Sequence, residues 1–293
     1  MTNRAGAFLR GITMNKLTAL IYFITVLCLL PPNITQADNT NSLPIFDAHI
    51  HYSHDVWDAI SAKDAIRRLK AAGVKRAMVS SSSDDGTQML YREDPQFVVP
   101  VLRPYRKRGT IETWMYDESL IPYLNERLQK YRYAGIGELH IDGEQAYTPV
   151  MREIIRLAKK HNLLLHVHGD ARAIKFIFKQ YPDARILWAH AGFDYAVIVG
   201  KMMDKYKNLW ADLSFRGEII NEGRLMKAWD ILLKRHADRF LFGIDTYEPQ
   251  RWLQLKNVMH WQREILAVLP AEVAQKIAFE NGERLTRVYD NPK

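Results

Sequence analysis

The sequence predicts an α/β protein, a single closed (β/α)8 barrel, on three observations. Short apolar segments alternate with segments of helical spacing from Pro44 onward. Eight such strand–helix units follow one another in about 250 residues, the usual size of this barrel. No glycine-rich phosphate loop follows the first strand, which argues against an open doubly wound sheet.

The elements follow in order. Pro44–His51 reads as the first strand, and Ser61–Ala72 as a helix with Ala62, Ala65, Ile66 and Leu69 on one face, stopped by Gly73. Val74–Ser80 is the second strand, followed by a polar loop, Ser81–Gly86. Phe97–Arg103 is the third strand and Leu120–Lys130 a helix, before the fourth strand, Ala134–His140. Pro149 opens the helix Val150–His161 at a favourable first-turn position, and Asn162 ends it. Leu163–His168, Arg185–His190, Leu209–Ser214 and Arg239–Asp245 are strands five to eight. Helices at Ala171–Gln180, Tyr195–Tyr206 and Arg224–His236 separate them, and two more, Gln250–Leu269 and Pro270–Tyr289, close the chain.

The N-terminal stretch has a different character. Arg4, Arg10 and Lys16 precede the apolar run Leu17–Leu30, and Thr35-Gln36-Ala37 places small residues at −3 and −1 of a cleavage site. Residues 1–37 therefore read as a signal peptide, 38–43 as a linker and 44–293 as the barrel. The run is 14 residues, short for a bilayer span. Export follows, to the periplasm in a Gram-negative source, with an N-terminal membrane anchor as the alternative. Cleavage removes Cys28, the only cysteine, so metal ligands in the mature chain are nitrogen and oxygen. The leader also carries three of the eight net positive charges, and the remaining basic residues are scattered among acids. That distribution suits a solvated surface and excludes a nucleic-acid groove. The expected partner is a small-molecule substrate, with no stable membrane association after cleavage; homo-oligomerisation is left open.

The chemistry sits at the carboxyl ends of the strands, where barrel enzymes keep their active sites. The first strand ends in His49-Ile50-His51, whose side-chain period of two puts both imidazoles on one face. Glu138 and His140 end the fourth strand, His166 and His168 the fifth, His190 the sixth and Asp245 the eighth. So many polar groups in one ring are costly to bury unless a cation binds them together. A divalent ion there lowers the pKa of a water and polarises an ester or amide carbonyl. A carboxylate touching that water can take its proton. His54, His161, His236 and His260 lie in loops or helices and are not expected to be ligands.

This ordered set, from Asp47-Ala48-His49-Ile50-His51 to the closing Phe279–Leu285, resembles the amidohydrolase superfamily, in its amidohydrolase-related branch of metal-dependent TIM-barrel hydrolases. The resemblance covers the whole mature chain, and the closing run is similar to that branch's terminal Asn-x-x-Arg-Leu helix. It implies His49, His51, a strand-five histidine and Asp245 as metal ligands, Asp245 as general base, and His190 as second-metal ligand or catalytic acid/base. Many binuclear relatives bridge their metals with a carbamylated lysine on strand four. This chain has none there, and Glu138 is the preferred bridge, with support of a ligand as the alternative. His168, nearer the mouth, is preferred to His166 as the strand-five ligand, and His166 and His140 are second-layer or alternative ligands. One or two divalent ions are implied, zinc first, then manganese or another divalent.

The expected activity is hydrolysis of an amide, ester or lactone bond of a small molecule by metal-activated water. Decarboxylation at a one-metal site, phosphoester cleavage and a non-catalytic metal-binding scaffold are the alternatives. Arg103 is a candidate substrate clamp. Ser80, Asp194, Asp212, Ser214 and Arg216, with Trp57, Trp114 and Tyr247, are candidate pocket residues.

Overall fold

The computed structural model describes residues 42–291; the leader, its cleavage point and residues 38–41 of the linker lie outside the described residues. Eight strands make one sheet: β1 Ile45–Ile50, β2 Val74–Val79, β3 Val98–Leu102, β4 Gly135–His140, β5 Leu164–His168, β6 Ile186–Trp188, β7 Leu209–Asp212 and β8 Phe240–Leu241. They lie in chain order and each neighbouring pair is parallel. The run after β8 returns to β1 through two backbone hydrogen bonds, Ala48 N to Phe242 O at 2.9 Å and Asp245 N to His49 O at 2.8 Å. The ring is thereby nearly closed, as an alternation of strands and helices requires.

Helices cover the outside: α1 Ala62–Ala71, α2 Asp84–Glu93, α3 Leu120–Lys130, α4 Pro149–His161, α5 Ala171–Gln180, α6 Ala196–Lys205 and α7 Lys227–Arg235. The chain ends in α8 Pro249–Leu253, α9 Leu255–Ala267, α10 Ala271–Gln275, a π-turn Lys276–Glu280 and α11 Asn281–Asp290. Strand residues Phe46, Met78, Val99, Leu164, Leu187 and Leu241 fill the interior, with Leu285 of α11 packed against them. Apolar filling at this end leaves the other end for polar groups.

Four expectations are corrected. Residues read as a loop at Ser81–Gly86 begin α2, because Asp84 is buried against Arg127 Nε at 2.8 Å and Tyr133 Oη at 2.6 Å. Acidic residues also suit the first turn of a helix. Arg224 and Leu225 belong to a small hairpin with Ile220 and Asn221, so α7 starts only at Lys227. Strand eight is two residues long instead of seven, since Phe242 N bonds to Ile277 O of the π-turn and Asp245 N to β1. The two long terminal helices are each interrupted, at Gln254 and at the π-turn.

The closing run serves as a plug under the barrel. Asn281 Nδ2 donates to Ala237 O and Phe240 O, both at 2.7 Å, and so holds the entry to β8. Gly282 lies flat on Phe46, where a Cβ would come within 2.2 Å of the ring. Asn281→Ala strands two carbonyls and should cost about 1–3 kcal/mol, a fall of several degrees in Tm, measured by thermal unfolding.

Candidate functional site

At the end of β1 a register shift between Asp47 and Ile50 breaks the simple alternation. Ile45 and Ile50 both pack in the cluster shared with the helices, although five residues apart. His49 and His51, two residues apart, stay together on the site side. His49 Nδ1 donates to Asp212 Oδ2 at 3.2 Å, and His51 Nδ1 to the carbonyl of Ser80. With both Nδ1 atoms engaged, both Nε2 atoms face one point, 3.1 Å apart.

Carboxylates meet them there. Asp245 Oδ1 lies 3.3 Å from His51 Nε2 and 3.8 Å from His49 Nε2, and has no hydrogen-bond partner among the described residues. Glu138 Oε1 lies 3.4 Å from His49 Nε2 and Oε2 3.3 Å from His51 Nε2. Glu138 also receives His168 Nδ1 at 2.9 Å and His140 Nε2 at 3.1 Å. Arg103 Nη2 donates to its Oε2 at 2.6 Å. Arg103 is thus buried in an ion pair with Glu138, not on the surface.

β6 stops at Trp188, so His190 sits in a left-handed turn (φ 54°), and Asp245 adopts a similar conformation (φ 50°). Non-glycine residues in this region recur at functional sites. His190 Nδ1 donates to Ser214 O at 3.1 Å, leaving Nε2 3.6 Å from Glu138 Oε1 and 3.7 Å from Asp245 Oδ2. His166 lies deeper, with Nε2 3.5 Å from Asp212 Oδ2.

Among the described residues four groups of side chains are spaced to hold an ion: His49, His51 and Asp245; His49, Glu138 and His190; His49, His166 and Asp212; and Glu138, His140 and His168. His54, His161, His236 and His260 are in none of them. His168, preferred above as ligand, groups with His140 toward the mouth, whereas His166 groups with His49.

The electrostatics explain the convergence. Burial alone would depress the pKa of His49, but Asp245, Glu138 and Asp212 outweigh it and hold it well above its ordinary value. Burial would likewise raise the three carboxyls, yet the surrounding imidazoles keep each of them low. His166 and His140 are pushed down to about 4, mainly by burial, and stay neutral. The carboxylates of Asp245 and Glu138 face the point where two Nε2 atoms converge, and the Asp245 oxygen there has no hydrogen-bond partner among the described residues. A divalent cation fits that donor set and charge.

Beside this cluster lies a cavity of about 310 Å³, lined by Arg103, Glu138, His140, His168, His190 and Asp245, and by Tyr105, Arg108, Ile111, Phe193, Phe215 and Tyr247. Other expected pocket residues are elsewhere. Ser80 braces His51, and Asp212 and Ser214 brace His49 and His190. Arg216 Nη1 donates to His190 O at 2.9 Å and Nη2 to Asp194 O at 3.1 Å, so both support the β6 turn. Trp57 donates to Tyr52 O and Trp114 to His140 O, away from the lining. Sequence reasoning missed Tyr105, Arg108, Ile111, Phe193 and Phe215. Tyr105 carried a signal, two residues beyond Arg103; Phe193 and Phe215 depend on left-handed loop residues that sequence does not announce.

No curated protein matches the sequence. Among solved structures, an uncharacterized TIM-barrel protein from Bordetella bronchiseptica is similar, with TM-score 0.58 and 14% identity over 85% of this chain and 100% of that one. So is a probable 2-pyrone-4,6-dicarboxylic acid hydrolase from Acinetobacter baumannii, with TM-score 0.57 and 12% identity over 84% of this chain and 100% of that one. An amidohydrolase from Burkholderia multivorans gives TM-score 0.54 and 14% identity over 83% and 99% of the two chains. At these identities they speak for the fold. The sequence pattern of the amidohydrolase family matches residues 46–288, nearly the whole barrel, and the chain belongs to that family.

Proposed function

We propose that this protein is a metal-dependent hydrolase of an amide, ester or lactone bond in a small molecule. The observation that carries the reading is the meeting of His49 Nε2 and His51 Nε2, 3.1 Å apart, with Asp245 Oδ1 at the wall of the cavity. His49, His51 and Asp245 would hold the cation, with Glu138 and His190 as the next donors. When bound, the ion supplies Lewis acidity to a carbonyl oxygen and to a water.

The remaining work falls to the chain. Asp245 accepts the proton of the attacking water and passes it to the leaving oxygen or nitrogen as the carbonyl–heteroatom bond breaks. His190, anchored through Nδ1 by Ser214, turns Nε2 toward the same space and, where it is not a ligand, steadies the developing charge as a protonated ring. The apolar wall of Ile111, Phe193 and Phe215 excludes water around the scissile bond. Export through the N-terminal leader is part of the same proposal.

One observation favours a second reading. Arg103 engages Glu138 Oε2 at 2.6 Å, which supports one cation rather than a pair bridged by Glu138, and so keeps decarboxylation at a one-metal site in view. Metals counted per chain by elemental analysis decide between them: two equivalents favour the bridge, one favours the single site. No metal, even after reconstitution with zinc or manganese, overturns the proposal.

Three variants sharpen the test. Asp245→Asn should lower kcat by at least about 10²–10⁴-fold with the fold intact, checked by turnover and circular dichroism. His49→Ala should lower the metal content of the purified protein. Asp212→Asn removes the charge that orients His49 and should weaken metal affinity about 10–100-fold, read by chelator competition.

A further inference from the structure

Tyr105 is 1% exposed, lines the cavity beside the charged cluster, and its hydroxyl has no hydrogen-bond partner among the described residues. The guanidinium of Arg103 lies over its ring at 4.7 Å, and the rings of Trp114 and His140 pack at 6.0 and 6.2 Å. A guanidinium only donates, so nothing there accepts the phenol proton. Arg103 is in the same position, for its Nε is buried without a partner while Nη2 serves Glu138. Two neighbouring buried donors on one wall thus lack acceptors, and burying them unmet is costly. A carboxylate has two oxygens that accept together and a charge that suits the arginine. Phe193, Phe215 and Tyr247 line the same cavity and offer flat apolar surface to the rest of such a molecule.

We propose that Tyr105 is a specificity-determining residue which, with Arg103, receives a carboxylate of the substrate while an apolar or aromatic body lies against Phe193, Phe215 and Tyr247. This rests on the reading of the cavity as the substrate site. The substrate class is then a hydrophobic or aromatic acid carrying a second, scissile group. Tyr105 orients that acid and takes no part in bond breaking.

The test is equilibrium binding by calorimetry of phenylacetate and of 2-phenylethanol, which keeps the ring and lacks the carboxylate. Full-length and Tyr105→Phe protein are each compared as purified and after chelator treatment. The full-length protein should prefer phenylacetate in both states. Tyr105→Phe should bind phenylacetate about ten- to a hundredfold more weakly and 2-phenylethanol within about twofold, with an unfolding midpoint no lower. Equal phenylacetate affinity in the variant overturns the proposal, as does absence of a preference in the parent protein. A preference lost on chelation yet intact in metal-loaded Tyr105→Phe places the carboxylate on the cation and also overturns it. Metal content and hydrolysis are not read here. A protein that binds phenylacetate through Tyr105 but takes up no metal would refute the hydrolase reading and leave this subsite standing.

Discussion

Two imidazole nitrogens 3.1 Å apart, facing the carboxylates of Asp245 and Glu138 in a buried setting, are the constraint on which the upper half of the barrel depends. Such a cluster is unfavourable unless a positive charge sits within it, as a proton on His49 or as a divalent ion. The surrounding backbone reads as the means of holding it in place. Asp47 Oδ1 accepts from His49 N at 3.0 Å and Ile244 N at 3.2 Å, so the first and last strand ends move as one. Burial pushes the Asp47 carboxyl up to about 8, outweighing the two amide donors that pull it down.

A second layer fixes tautomers rather than positions. Asp212, the carbonyl of Ser80 and the carbonyl of Ser214 each engage the Nδ1 of a histidine, and thereby expose Nε2 to the centre. Asp212 also receives Ser214 N at 3.0 Å and His190 N at 3.3 Å, so one carboxylate ties β7 to the turns on both sides. Arg216 completes this support through the carbonyls of His190 and Asp194 while stacking on Trp229 at 4.5 Å.

The cavity wall is built differently. Its aromatic residues come from the segments after β3, β6, β7 and β8, and Phe193, Phe215 and Asp245 all have positive φ. The polar residues of β1, β4 and β5 thus stand on strand ends, where the ladder fixes them, His190 and Asp245 stand in left-handed turns just beyond, and the apolar residues stand on loops that can vary without disturbing the ladder. Selectivity and chemistry are separable in such an arrangement.

Sequence alone determined the alternation of strands and helices, hence the ring, and the strand-end residues His49, His51, Glu138, His140, His166, His168, His190 and Asp245. Side-chain period and strand order are local properties, legible without knowing what packs on what. Tertiary structure alone decided which residues brace and which line. Ser80, Asp212 and Ser214 turned out to face histidines rather than the cavity, Arg103 to be shared with Glu138, and α2 to exist because Asp84 finds Arg127 and Tyr133. Those outcomes rest on contacts between residues far apart in the chain and on turns in the left-handed region, and neither leaves a periodic trace in the sequence.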